Sequence, residues 1–308
     1  MYPKPLQSKP KRLSERNAVT IIAGFKCEEG VVVCADTQET LGTAKRSVPK
    51  LRFEPCDHKT ENEDHYSNLA VAFCGAGDGP FIDKLVSESW RVASQQTDLA
   101  SVCSAIEDSI VRQYMKFGKI YQVGMCPEVQ LIYGVKMDGG SRLFTATGPI
   151  VNEKHEYDSG GQGHYMADFL ASKMHYIQLN IRQCAILAAY ILHEAKDHVD
   201  GCGGDSQIAV LRNKGTCGTV GWHRIGELTD LVSAADSTAG DILMALADVE
   251  EDDAKAIEKV QFNLDMMAGL RHSYRERTAR QEVPEFHKSI DFLGLPLPKN
   301  EEDKNKKS

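Results

Sequence analysis

Few side chains in this chain stand where their type and spacing could do chemistry. Thr20 opens one apolar run (TIIAGF), Asp36 closes a second (VVVCAD) and Gly75 closes a third (LAVAFCG), while Lys50 sits in a short Val-Pro-Lys-Leu stretch. A threonine hydroxyl becomes a useful nucleophile only with a base and a positive charge beside it. Each residue also has an ordinary reading. Thr20 is a β-branched residue at a strand start, Asp36 a turn former, Lys50 a solvated cation, and Gly75 and Gly77, like Gly161 and Gly163 further on, glycines that permit tight turns.

Other chemistry is poorly represented. The nine cysteines (Cys27, Cys34, Cys56, Cys74, Cys103, Cys126, Cys184, Cys202, Cys217) are odd in number and contain no CxxC pair, so no zinc site is expected. Several lie inside apolar runs and read as reduced, buried thiols of a reducing compartment. His164, His193 and His198 fall on helical segments without a visible partner and read as surface or capping residues. No cofactor and no metal is expected.

The elements that must position the first group follow from the pattern of apolar residues. The chain has 308 residues, 42% apolar and 26% charged, enough for one large domain or two modest ones. A formal charge of −8 speaks against bulk nucleic-acid binding. No apolar run reaches the roughly 18–20 residues of a membrane helix, and no apolar core follows the basic residues of the N-terminus, so neither a membrane nor a signal peptide is expected and a cytoplasmic location is the default. Residues 1–19, Pro-rich and basic, cannot bury enough surface to fold and read as a disordered arm or a propeptide.

From Thr20 the order is strands, two helices, strands, two helices, strands. TIIAGFKC and VVVCAD flank a Glu28-Glu29-Gly30 turn. LAVAFCG is another buried strand. Phe81, Ile82, Leu85, Val86, Ser89 and Ala93 recur at helical spacing, and Leu99, Val102, Ile106, Ile110 and Tyr114 do so after a cap at Thr97 or Asp98. VQLIYGVKM and SRLFTAT form a hairpin around Asp138-Gly139-Gly140, and 150–157 reads as extended. Helices are expected at about 164–174 and 180–198, with a last buried strand at IAVL (208–211). Helices in pairs disfavour a doubly wound parallel sheet and favour antiparallel sheets stacked face to face with a helix layer outside each. Residues 213–308 read as a helical extension, with a seam of Ile257, Val260, Leu264 and Met267 and a solvated tail KNEEDKNKKS.

TIIAGFKCEEGVVVCADTQET resembles the first hairpin of proteasome β subunits and of the bacterial ATP-dependent ring proteases, in Thr20, Gly30, Val31 to Val33, Ala35 and Asp36. Val48-Pro49-Lys50-Leu51 resembles the segment with that family's active-site lysine. Phe73 to Asp78 resembles its glycine-rich turn before the first helix, and Gly161-Gln162-Gly163 its glycine-serine-glycine turn. The resemblance is collinear over about 20–212. It implies an α+β fold, a four-layer αββα sandwich of two antiparallel sheets between helix layers, as in proteasome-like N-terminal-nucleophile hydrolases.

The resemblance also implies a threonine-type peptide hydrolase working within a homo-oligomeric ring, with or without an ATPase partner. Thr20 would be nucleophile and, through its free α-amine, base. Lys50 would lower the hydroxyl's pKa, Asp36 would orient Lys50, and Gly75 would donate to the oxyanion. Three departures from the pattern stand out. Val19 precedes Thr20, where self-processing relatives have glycine. Gln162 replaces the serine of its turn, with Ser159 out of register. The supporting Asp-x-x-Ser-Gly-Gly reads Asp200-Gly201-Cys202-Gly203-Gly204, with Asp197 a rival for the aspartate. Two other functions remain open: a non-catalytic subunit of a ring, which keeps residues 1–19, and an amidase acting on small-molecule amides, separable by comparing peptide with small-amide substrates.

Overall fold

The computed structural model describes residues 20–41, 44–59, 66–120 and 126–280; the arm 1–19 and the tail KNEEDKNKKS lie outside these. The chain opens with an antiparallel hairpin. β1 (Ile21–Cys27) and β2 (Gly30–Asp36) pair from Cys27↔Gly30 to Ile22↔Ala35 around the Glu28-Glu29 turn. All seven residues of β2 are buried. Val32 and Cys34 face one buried cluster, while Val31, Val33 and Ala35 face another. Fully burying one valine side chain contributes about 1.5–3 kcal/mol, so covering both faces favours the unbroken Val-Val-Val run over polar alternation.

A small hairpin, β3 (Gln38–Leu41) with the exposed β4 (Ala44–Ser47), leads to β5 (Leu51–Lys59) and β6 (Tyr66–Gly77). Next come α1 (Gly79–Ala93) and α2 (Leu99–Ile120), then β7 (Val129–Met137), β8 (Gly140–Thr147), β9 (Ile150–Lys154) and β10 (Tyr157–Gly161). α3 (His164–Met174), α4 (Ile181–His198), β11 (Ser206–Arg212), β12 (Gly218–Thr219), α5 (Trp222–Ala247) and α6 (Asp253–Arg280) complete the order. Two five-stranded sheets result, in the orders β10-β1-β2-β11-β12 and β5-β6-β7-β8-β9. Every ladder among the described residues is antiparallel. With the six helices of the described residues beside these sheets, the fold is α+β.

Side-chain alternation divides the interior into three buried clusters. One holds Ile21, Ala23 and Phe25 of the first sheet with residues of α3, α4 and α5. A second holds Leu69, Val71 and Phe73 of β6 with residues of α1 and α2. The third joins residues of both sheets, among them Ile22, Val33, Ala72, Cys74, Ile132 and Leu143. Small residues dominate the β6 contribution to it: Ala70, Ala72, Cys74 and Ala76. Close approach is required at Gly24, where a Cβ would lie 2.7 Å from side-chain atoms of both Ile132 and Leu143.

Helix ends follow from local chemistry. Asp78 caps α1 by accepting from the Phe81 amide at 3.0 Å. Asp98, rather than Thr97, accepts from the Ser101 amide at 2.9 Å at the start of α2. Asn180 and Gln183 form a reciprocal capping box on α4, each bond 2.9 Å. In α6 the buried seam differs from the one expected. Ile257 and Leu264 are exposed, and the face turned inward carries Ala256, Val260, Asn263, Met267, Leu270 and Tyr274. Tyr274 packs against the first cluster, which fixes that rotation. α5 reaches the same cluster through Ile225 and Leu228.

Candidate functional site

The β1–β2 hairpin brings two of the expected residues together. Its register sets Ile22 opposite Ala35, so Thr20, just ahead of β1, comes beside Asp36 at the end of β2. The Thr20 hydroxyl donates to Asp36 Oδ1, and the Ile21 amide lies 3.3 Å from the same oxygen. Thr20 is 2% exposed and Asp36 fully buried.

Lys50 arrives from a different part of the chain. After the β3–β4 hairpin the Val48 amide donates to the Thr37 carbonyl at 2.7 Å, returning the chain to the end of β2. Lys50 Nζ then donates to Thr20 Oγ1, to Asp36 Oδ1 at 2.7 Å, and to the Gln38 carbonyl. Burial lowers the Lys50 pKa, while the Asp36 carboxylate, by charge and hydrogen bond, raises it. The ammonium is therefore held between an acidic partner that keeps it charged and a dry environment that favours the neutral amine. At 2.7 Å, two unit charges attract by about 6 kcal/mol at an effective dielectric near 20, before the cost of desolvating both.

Backbone from two glycine-rich turns completes the enclosure. Gly203 donates its amide to Asp36 Oδ2 at 3.0 Å, and its carbonyl accepts from the Thr37 and Gln38 amides at 3.3 and 3.0 Å. Thr37 Oγ1 accepts from the Asp205 amide at 2.7 Å and from Ser47 Oγ at 2.9 Å. On the other side, the Gly163 amide donates to the Thr20 carbonyl at 3.1 Å. Gly161 has φ +79°, and a Cβ there would fall 2.3 Å from the Thr20 carbonyl oxygen, so only glycine fits.

The remaining expected residues are placed differently. Gly75 does not lie in a turn. It is inside β6, which runs on to Gly77, and its amide donates to the Lys50 carbonyl at 3.2 Å. That N–H is used in positioning Lys50 and does not point free into the site. Cys202 is buried beside the cluster, where an added Cβ at Gly163 would lie 3.0 Å from its sulfur. Burial, with the Asp36 charge adding to it, pushes its thiol up to about 12. Gln162 is exposed in its turn, and Asp200 is exposed after α4. Asp197 makes its ion pair with His193 at 3.7 Å and is 58% exposed. These three are not drawn into the Thr20–Asp36–Lys50 cluster.

Sequence reasoning missed Thr37, Gln38 and Gln207, and named Gly203 only as part of a motif, without its bond to Asp36. Gln207 Oε1 accepts from the Lys50 amide at 2.8 Å and from the Leu51 amide at 3.1 Å. Only the Gly203-Gly204 pair carried a signal. Gly204 has φ +68° and packs on Thr37, where a Cβ would lie 2.4 Å from the hydroxyl.

No family model matches the chain, and no curated protein does. Solved structures of Anbu are similar. Anbu from Hyphomicrobium sp. strain MC1 gives a TM-score of 0.56 at 16% identity, over 76% of this chain and 100% of that one. Its Gly-1 mutant gives 0.57 at 16%, over 76% and 99%. Anbu from Yersinia bercovieri, described as an ancestral beta-subunit, gives 0.53 at 12%, over 68% and 92%. These findings correct the resemblance drawn from the motifs. The likeness runs to Anbu, and assignment to the proteasome β subunits or the bacterial ATP-dependent ring proteases does not stand. Among the described residues no helix is long and apolar enough to cross a membrane. At this level of identity the likeness concerns the fold alone.

Proposed function

We propose that the chain is a threonine-type N-terminal-nucleophile hydrolase of peptide bonds, active once the Val19–Thr20 bond has been cut. One observation carries the reading: the buried Thr20 hydroxyl is hydrogen-bonded at once to the Asp36 carboxylate and the Lys50 ammonium. A structural threonine at a strand start has no need of a buried ion pair aimed at its hydroxyl. Burying such a pair costs several kcal/mol per ion before its own attraction offsets the loss.

The chemistry runs as follows. Cleavage at Val19–Thr20 frees the Thr20 α-amine, whose ordinary pKa of about 7.7–8.0 lets it take a proton near neutrality. The amine accepts the hydroxyl proton as Thr20 Oγ1 attacks the substrate carbonyl carbon. Lys50 favours the developing alkoxide by its charge, and Asp36 keeps Lys50 protonated and in place. The tetrahedral intermediate collapses, the C–N bond breaks, and the ammonium of Thr20 returns the proton to the leaving amine. Water, deprotonated by the same amine, then hydrolyses the Thr20 ester. The proposal includes the four-layer αββα arrangement, in which both sheets are enclosed by helix layers, and assembly of several copies of the chain around a peptide substrate.

A second reading, a non-catalytic subunit of such an assembly, draws support from the Gly75 amide's bond to the Lys50 carbonyl and from the protonated Cys202 thiol at a position where the motif has a hydroxyl. Intact-mass measurement combined with peptide hydrolysis tests the pair. The hydrolase reading expects a protein lacking residues 1–19 that cleaves peptides and loses this on Thr20→Ala. Retention of residues 1–19 with no hydrolysis supports the subunit reading.

A further inference from the structure

We infer that Gln207 is a positioning residue for Lys50, fixing by its side-chain carbonyl the backbone from which the ammonium reaches Thr20. The inference rests on the hydrolase reading above, and it goes beyond it by assigning a residue that neither the motifs nor the fold likeness marks.

The argument begins with the place of β5 in its sheet. Among the described residues it is an edge strand, bonded on one side only, to β6. The backbone on its open side has no strand to pair with, and buried N–H groups left without acceptors are costly. Gln207 lies in β11 of the other sheet, opposite Ala35 and so one step from Asp36. Its Oε1 accepts from two successive amides, Lys50 at 2.8 Å and Leu51 at 3.1 Å. In a regular strand successive amides point to opposite sides. Their convergence on one oxygen shows that the chain turns at Lys50 as it enters β5. On the opposite side of the same peptide, the Lys50 carbonyl accepts from the Gly75 amide at 3.2 Å. Lys50 is thus held through its N–H by the first sheet and through its C=O by the second. Its side chain leaves this clamp to meet Thr20 Oγ1, Asp36 Oδ1 and the Gln38 carbonyl.

Losing the Gln207 carbonyl frees two donors and lets the 49–51 backbone rotate. A displacement of about 1 Å at a reacting group can cost on the order of 100-fold in rate. Gln207 touches neither Thr20 nor substrate in this account, so its effect passes through Lys50.

The test compares Gln207→Met, which keeps the length but has no acceptor oxygen, with Gln207→Glu, which keeps the acceptor. Two readouts are taken on protein whose first residue is Thr20: peptide hydrolysis, and the titration of Lys50 followed by the NMR signal of its side-chain CH2 next to nitrogen, assigned with Lys50→Arg. In Gln207→Met, kcat is expected to fall about 10- to 100-fold with KM within about 2-fold, and Lys50 to titrate closer to an ordinary lysine as its ammonium leaves the buried site. Gln207→Glu is expected to restore most of that loss. If Gln207→Met does not fold, Gln207→Asn, one methylene too short to reach, takes its place. Should the wild-type protein hydrolyse nothing while Lys50 still shifts in Gln207→Met, the hydrolase reading falls and the positioning role stands. An unchanged Lys50 titration in a folded Gln207→Met or Gln207→Asn variant, or a Gln207→Glu variant as impaired as Gln207→Met, overturns the inference.

Discussion

Replacing Asp36 by Asn probes the buried ion pair without changing its shape. Asp36 has no exposed side-chain surface, and the Lys50 side chain is 11% exposed, with the two 2.7 Å apart. The carboxylate serves Lys50 Nζ and Thr20 Oγ1 through one oxygen and the Gly203 amide through the other. Asn offers one acceptor oxygen and turns an NH2 toward a donor on the other side, so one hydrogen bond is lost as well as the charge. Removing one partner of a buried pair typically costs about 3–5 kcal/mol, because it strands the remaining ion. Urea denaturation at pH 7 should show that loss as a lower midpoint with an unchanged slope.

The pH dependence follows from the Lys50 shift. Burial lowers its pKa and Asp36 raises it, with smaller raising contributions from Cys202 and Glu39, so the Asn variant loses the largest raising influence and the folded pKa drops further below 10.5. Between that value and the unfolded pKa, the unfolded chain holds more protons than the folded one, and stability rises with pH. The window opens at lower pH in the variant than in the wild type. Its deficit at pH 7 should therefore shrink by pH 10. Adding Lys50→Met to Asp36→Asn removes the stranded ion and should recover part of the loss. A deficit below about 1 kcal/mol at pH 7, where a stranded ion demands 3–5, or one that stays constant to pH 10, would refute the reasoning.

Gly161→Ala should lower peptide hydrolysis by more than tenfold, since its Cβ would meet the Thr20 carbonyl oxygen at 2.3 Å on a residue at φ +79°; unchanged initial rates would show that the Thr20 backbone is not fixed there. The pH–rate profile should rise as the Thr20 amine loses its proton near pH 8, and fall as Lys50 deprotonates. Because burial lowers the Lys50 pKa, the falling limb should lie below 10.5, and a profile flat to pH 10.5 would speak against a charged Lys50 in the reaction. Peptide mapping after brief alkylation at pH 8 should find Cys126 modified and Cys202 protected, as the first is exposed and the second is buried with its thiol pushed up to about 12.

Much of the fold could be read from the chain because its strands and helices carry strong periodic patterns. The Val31–Val33 run required cover on both faces, and both faces are covered. The helices expected at about 164–174 and 180–198 stand at His164–Met174 and Ile181–His198. The β3–β4 hairpin was not legible, since its exposed residues (AKRS in β4) have no apolar alternation to mark them. Gly75 was misplaced for a related reason. A glycine-rich string reads as a turn, whereas the ladder to β7 extends β6 through it. Thr20 and Asp36 were legible as a pair because a tight hairpin fixes their register. Gln207 was not, because a contact made 157 residues away along the chain leaves no local trace.

The central claim is that Thr20 Oγ1 is the atom that attacks a carbonyl. Incubating the protein with a β-lactone, a strained ester that acylates activated hydroxyls, and mapping the adduct by tandem mass spectrometry tests it directly. The account predicts a single acyl group on a Thr20 that has become the first residue, absent in Lys50→Ala and in protein that still carries residues 1–19. Acylation elsewhere with Thr20 unmodified, or equal labelling of Lys50→Ala, contradicts it.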